Sequence, residues 1–135
     1  MKMSKMVHEY ELDRDRLLGC GVGAVILFGS FVEGTAHPGS DIDIAVVFKD
    51  LSFLKRDPVN IFGILYDEFS EKIGGNIDII YLHEAPLSLQ FNAVMNGIPI
   101  FCSSKEFLYD YKEKITLLYL DFCFFEKILD EAYTG

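Results

Sequence analysis

The sequence has 135 residues, of which 50% are hydrophobic, and 21 acidic against 12 basic residues give a formal net charge of −9. This apolar fraction excludes an intrinsically disordered chain, because burial can offset the entropy of ordering. One domain is expected over residues 1–135, since domains commonly run to about 100–150 residues. The excess of acids excludes a duplex nucleic-acid partner, because affinity for the phosphate backbone depends on clustered Lys and Arg.

Cysteine usage and the apolar stretches predict a cytoplasmic protein. Cys20, Cys102 and Cys123 are widely spaced and form no Cys-x-x-Cys pair, so neither a zinc site nor a disulfide framework is expected. The N-terminal residues contain no apolar signal segment. The longest apolar stretch, residues 115–125, is interrupted by polar residues and falls short of the roughly 20 residues of a membrane span. We therefore expect no membrane partner.

The first predicted elements are two strands separated by a glycine-rich loop. Residues 24–28 are an apolar run that ends at Gly29-Ser30, which is typical of a buried strand. Residues 31–40 leave room for a short helical turn and a loop. Residues 41–48 alternate acidic and apolar side chains before becoming wholly apolar. This pattern is typical of a strand with one end in a polar cleft.

A helix and a third strand are predicted next. Asp57-Pro58 has the pattern of a helix start, with Asp as the N-cap and Pro in the first turn. Four apolar residues follow at helical spacing, namely Ile61, Leu65, Phe69 and Ile73. Gly74-Gly75 marks the end of this helix. Residues 76–82 form an apolar strand that Asp78 interrupts.

A helix, a short strand and a long helix complete the prediction. Residues 85–96 have a helical pattern, and residues 98–102 are a strand whose proline places it at a sheet edge. Ser103 or Ser104 begins a long helix over residues 104–133, with a glutamate placed to complete a capping box. The alternation predicts an α/β (α+β) fold, a small mixed sheet of about four strands flanked by helices.

The long C-terminal helix has two apolar faces. One is a stripe at steps of three and four that is typical of core packing: Phe107, Tyr111, Ile115, Leu118, Phe122, Phe125 and Leu129. The other consists of Leu108, Tyr119, Leu120, Cys123 and Phe124. Two interpretations stay open for this second face. The helix is sandwiched within the fold, or it forms an interface with a second copy or another protein.

Three aspartates are the candidate metal ligands. Asp41 and Asp43 are two apart on a predicted strand, so their carboxylates point to one face. Two such charges repel unless a cation lies between them, and Mg²⁺ prefers one or two carboxylates with water and phosphates. Asp78 is costly to bury without a partner. If its strand pairs beside that of Asp41, the three carboxylates converge and can hold two metals.

Gly29-Ser30 is the candidate phosphate-binding element. A strand that ends in Gly-Ser and opens a helical turn presents backbone N–H groups and a hydroxyl, which suit a phosphate. Phosphate donors on one side and acidic metal ligands on the other predict a nucleoside triphosphate site.

These residues carry a resemblance to a known family. Gly29-Ser30, ten intervening residues and then Asp41-x-Asp43, with the later Asp78, resemble the signature of the nucleotidyltransferase superfamily related to DNA polymerase beta. The chain length and residues 76–101 resemble more narrowly the minimal nucleotidyltransferase (MNT) proteins, which are commonly antitoxins of HEPN-domain toxins. The resemblance covers about residues 17–102 as the core of the domain, and it implies the nucleotidyltransferase fold.

The resemblance also implies a reaction. It is Mg²⁺-dependent transfer of a nucleoside monophosphate, AMP from ATP or its equivalent from another NTP, to an acceptor hydroxyl with release of pyrophosphate. By the same resemblance, Asp41 and Asp43 hold one or two Mg²⁺ ions, while Ser30 and the Gly29 backbone bind the distal phosphates. Asp78 completes the second metal site or acts as the base. In MNT–HEPN pairs the acceptor is a tyrosine of the toxin.

One departure from the family pattern keeps other functions open. Family members often carry a basic residue one or three positions after the Ser, where this chain has Phe31 and Glu33. A catalytically silent protein that neutralises a partner by binding alone is therefore one alternative. Transfer to a small molecule is another, although such enzymes usually carry a further substrate domain.

Overall fold

The computed structural model describes residues 10–29 and 41–134. The helices in these residues are α1 (Arg14–Gly19), α2 (Ser52–Arg56), α3 (Pro58–Lys72), α4 (Leu87–Asn96) and α5 (Lys105–Thr134). The strands are β1 (Val22–Phe28), β2 (Ile42–Phe48), β3 (Ile77–Tyr81) and β4 (Ile98–Cys102). The predicted strands and the three longer helices are confirmed. The short helices α1 and α2 were not predicted, and the helical turn expected in residues 31–40 lies outside the described residues.

The strands form one mixed sheet in the order β3-β2-β1-β4. β1 is antiparallel to both β2 and β4, whereas β2 and β3 are parallel and are joined by the crossover that contains α2 and α3. This sheet confirms the expected α/β (α+β) class, and β4 lies at an edge as its proline predicts.

Helices cover both faces of the sheet. On one face, Leu17 of α1 and Leu65 and Phe69 of α3 pack against alternate residues of β1 and β2. On the other face, Ala93 of α4 and Ile115 of α5 pack against the intervening residues. α3 begins as predicted, with the Asp57 side chain accepting the Asn60 N–H and Pro58 in the first turn. The alternation of buried side chains along β1 and β2 therefore fixes which helices meet which face.

Ser104 is the residue that caps α5. Its Oγ accepts the N–H of Phe107 at 3.1 Å. Because Phe107 rather than Glu106 is at the third helical position, the expected reciprocal capping box is not formed. Ser103 Oγ is buried and has no hydrogen-bond partner in the described part of the chain.

The second half of α5 extends beyond the cover of the sheet and α4. Ile115 is 3% exposed, but the next four residues of the same stripe are 42–61% exposed: Leu118, Phe122, Phe125 and Leu129. The expectation that this whole stripe packs in the core is therefore wrong after residue 116. The helix is about 45 Å long at 1.5 Å per residue, which is longer than the elements beneath it. Across the described residues, no helix is long and apolar enough to cross a membrane.

Candidate active site

The strand register brings two of the predicted acidic residues together. Asp43 is directly opposite Asp78 in the parallel pair of β2 and β3, and opposite Phe28 in the antiparallel pair of β1 and β2. Neighbouring strands lie about 4.8 Å apart and directly paired residues share a face, so the two carboxylates are adjacent. Since Ala45 packs against α4 and α5, Asp43 two residues earlier lies on that same face of the sheet.

Asp43 is at the centre of the acidic cluster. Its side chain is partly buried, whereas Asp41, just before β2, and Asp78 are exposed. Burial raises the pKa of the Asp43 carboxyl above its usual range, and the nearby charges of Asp78 and then Asp41 raise the pKa further. A carboxylate that is destabilised by two others is stabilised by a divalent cation placed between them.

Gly29 makes close contact with this carboxylate. Its φ of +83° lies in the left-handed region that favours glycine. A Cβ at this position would collide with Oδ2 of Asp43. The chain after β1 therefore turns against Asp43, and a side chain at position 29 would displace the carboxylate. Ser30, the other predicted phosphate ligand, lies outside the described residues, as do Phe31 and Glu33.

A backbone hydrogen bond that the sequence does not predict joins β2 and β3 at their N-terminal ends. The Ile42 N–H donates to the Asn76 carbonyl at 2.7 Å. This bond aligns the start of β2 with the residue just before β3, and so fixes the spacing of Asp41 and Asp43 from Asp78. No residue type signals such a contact, because both partners are backbone atoms.

The donor set suits a hard divalent cation. Within residues 10–29 and 41–134, no group of three or more His, Cys, Asp and Glu side chains is already arranged to hold a metal ion. Mg²⁺ commonly takes only one or two protein carboxylates and fills its octahedron with water and substrate phosphates. Asp43 with either neighbouring aspartate meets that requirement.

Known proteins resemble this chain in sequence. The family model described as "Polymerase beta, Nucleotidyltransferase" matches residues 20–106, which contain all of the predicted site residues. MJ1305 of Methanocaldococcus jannaschii, which is named as a candidate protein adenylyltransferase, is 31% identical over 97 residues. That match covers 68% of this chain and 66% of the relative, so the chain spans just under two thirds of the relative's length.

Solved structures share the fold. A chain in a crystal structure of a toxin-antitoxin with AMP-PNP has a TM-score of 0.63 at 19% identity, covering 92% of this chain and 100% of the other. A chain in the structure of a tri-AMPylated Shewanella oneidensis HEPN toxin in complex with an MNT antitoxin has a TM-score of 0.62 at 18% identity, covering 100% of both chains. The family model covers well over half of the sequence, and this chain belongs to the polymerase beta nucleotidyltransferase family.

Proposed function

We propose that this protein is an antitoxin that transfers AMP from ATP, or another nucleoside monophosphate from its NTP, to a tyrosine of a HEPN-domain toxin in the cytoplasm. The observation that carries the proposal is the placement of Asp43 against both Asp78 and Gly29, in a chain of a nucleotidyltransferase family. The similar structures support the nucleotide and the partner, since one is of a toxin-antitoxin with AMP-PNP and another contains an AMPylated HEPN toxin.

Each residue of the site has a role in this reaction. Asp41 and Asp43 would hold one or two Mg²⁺ ions, whose charge offsets that of the triphosphate and of the departing pyrophosphate. Gly29 and Ser30 bind the distal phosphates through backbone N–H groups and the hydroxyl. The acceptor oxygen forms a bond to the α-phosphorus as the bond to the bridging oxygen of pyrophosphate breaks. Asp78 takes the proton of the acceptor or completes the metal ligands.

A binding-only antitoxin is the second candidate. The observation that favours it is Phe31 and Glu33, at positions where related enzymes often carry a basic residue. Such a protein would neutralise its partner without covalent modification, and the same experiment distinguishes the two functions.

Incubation of this protein with α-labelled ATP, Mg²⁺ and the product of the adjacent gene, as the candidate toxin, tests the proposal. We expect label on the toxin. We expect no label when the tyrosines of the toxin are replaced by phenylalanine. Label on the toxin would be lost with γ-labelled ATP, because the γ-phosphate leaves in pyrophosphate. Tight binding without label from any of the four NTPs would contradict the enzyme and support binding alone.

A further inference from the structure

The exposed half of α5, residues 117–133, is apolar around most of its circumference. Nine large apolar side chains in it are 42–89% exposed: Leu117, Leu118, Leu120, Phe122, Phe124, Phe125, Ile128, Leu129 and Tyr133. At 100° per residue they spread over an arc of about 220°. One neighbouring helix covers a stripe of about 100° around the helix axis. An arc of this width is therefore covered only by a groove that contacts the helix on two sides.

The same chain contains such a groove. It is a cavity of about 550 Å³ between α4, α5 and the end of β2, which we call the α4–α5 groove. Its apolar lining includes Val47, Phe48, Leu87 and Ile115. Leu118 lines the groove and is also the start of the exposed stripe, so the two surfaces are continuous. The groove is remote from the site, because β2 runs from Asp43 at one end to Phe48 at the other.

Charge makes the two surfaces complementary. The exposed half of α5 contains four acids and one lysine, a net charge of −3. The charged side chains that line the groove are Lys49, Lys114 and Asp110, and the other titratable ones are His83 and Tyr111. In a chain with a net charge of −9, two lysines against one acid form a locally basic surface. A parallel pairing of two α5 helices would oppose like charges, whereas an antiparallel pairing places the acidic end of one copy beside the lysines of the other.

We propose that this protein forms a two-fold dimer in which the exposed half of α5 of each copy occupies the α4–α5 groove of the other. The contact is self-complementary, so two copies close the assembly and leave neither exposed half uncovered. The dimer does not depend on nucleotide transfer.

The mass of the purified 135-residue chain in solution tests the proposal, with a reductant present because Cys123 is exposed. We expect twice the mass of one chain, and the mass of one chain for the double variant Phe122→Ser/Phe125→Ser. Phe62→Ser is the matched control, because Phe62 is 45% exposed on α3 against 48% for Phe122, and it should leave the dimer unchanged. Far-ultraviolet circular dichroism checks that each variant is folded.

A charge exchange tests the antiparallel arrangement. Lys49→Glu/Lys114→Glu makes the groove acidic, and Glu126→Lys/Glu131→Lys makes the exposed half basic. Each double variant alone should dissociate at least tenfold more readily, whereas an equal mixture should dimerise, because both contacts of the mixed dimer then pair opposite charges. A parallel dimer would instead be strengthened by Glu126→Lys/Glu131→Lys alone. The mass of one chain at every concentration, with residues 117–133 protected only when a HEPN protein is added, would overturn the proposal and assign this surface to that partner.

Discussion

Replacing Asp43 by Asn is expected to reduce the rate of nucleotide transfer by about 10³-fold. Asn retains the shape of Asp but not its charge, and a metal ion contributes several kcal/mol of transition-state charge stabilisation, with about 1.4 kcal/mol for each tenfold in rate. Asp67→Asn is the matched control, since Asp67 is an exposed acid on α3, a helix that packs on the opposite face of the sheet from Asp43. Single-turnover transfer of α-label measures both. A variant at position 43 that keeps the wild-type rate would remove Asp43 from the mechanism.

The same substitution should stabilise the metal-free protein at neutral pH, which separates a catalytic loss from misfolding. The pKa of Asp43 is raised in the folded state by burial and by Asp78 and Asp41. A raised carboxyl pKa contributes stability while the group is protonated, and that contribution is lost as pH rises through the folded-state pKa. Urea unfolding in a chelator, from about pH 4 to about pH 7, should therefore show Asp43→Asn gaining stability over wild type as pH rises. A wild-type chain that is the more stable of the two at neutral pH would contradict this account of the cluster.

Glu68→Ala is expected to lower the free energy of unfolding by about 3 kcal/mol. Glu68 is the buried charged residue among those described, at 1% exposure. One carboxylate oxygen pairs with Arg16 at 3.1 Å, and the other accepts the backbone N–H of Asp13 at 2.7 Å and pairs with Lys72 at 3.2 Å. Removing the carboxylate leaves a cavity and two cations without their partner. This loss of stability is at the low end of the range for breaking a buried ion pair, because the side chains of Arg16 and Lys72 are partly exposed to solvent.

Glu71→Ala is the control for that substitution. Glu71 lies on the same helix, is exposed, and its loss should change stability by less than about 0.5 kcal/mol. Because Glu68 joins α3 to α1, amide exchange in residues 14–19 should accelerate more than in β1. Equal losses for the two alanine variants in urea unfolding would show that the buried network contributes little.

The strands and the helix α3 could be predicted because their apolar residues follow regular patterns and because glycine or proline lies at their ends. Gly29 ends β1, Asp57-Pro58 starts α3 and Gly74-Gly75 follows it, each for a local steric reason. The convergence of Asp43 with Asp78 was conditional on β2 and β3 being neighbours. The exact register was not predictable, because it depends on backbone bonds such as that from Ile42 to Asn76.

The elements that sequence reasoning missed are set by distant contacts. α1 has six residues, too few for a periodic pattern, and it is held by Glu68 from α3 and by Arg14, which donates to the carbonyls of Cys102 and Ser103. The apolar stripe on α5 continues without a break past Ile115. Periodicity alone therefore does not show where α5 stops packing against the rest of the domain. The roles of Ser30, Phe31 and Glu33 stay predictions, since these residues lie outside the described part of the chain.

The parallel pairing of β2 with β3 has a kinetic consequence. β1 and β2 are antiparallel partners, and both Gly29 and Asp43 belong to this early part of the chain, whereas Asp78 arrives only after the crossover of residues 49–76 has folded. Closing such a crossover costs chain entropy before its contacts form, so parallel pairing is slow. A nascent chain that ends before β3 thus carries an incomplete acidic cluster. With the role proposed above for Asp78, transfer activity would appear only once the crossover has docked, and its time course during refolding would follow the formation of that last strand pair.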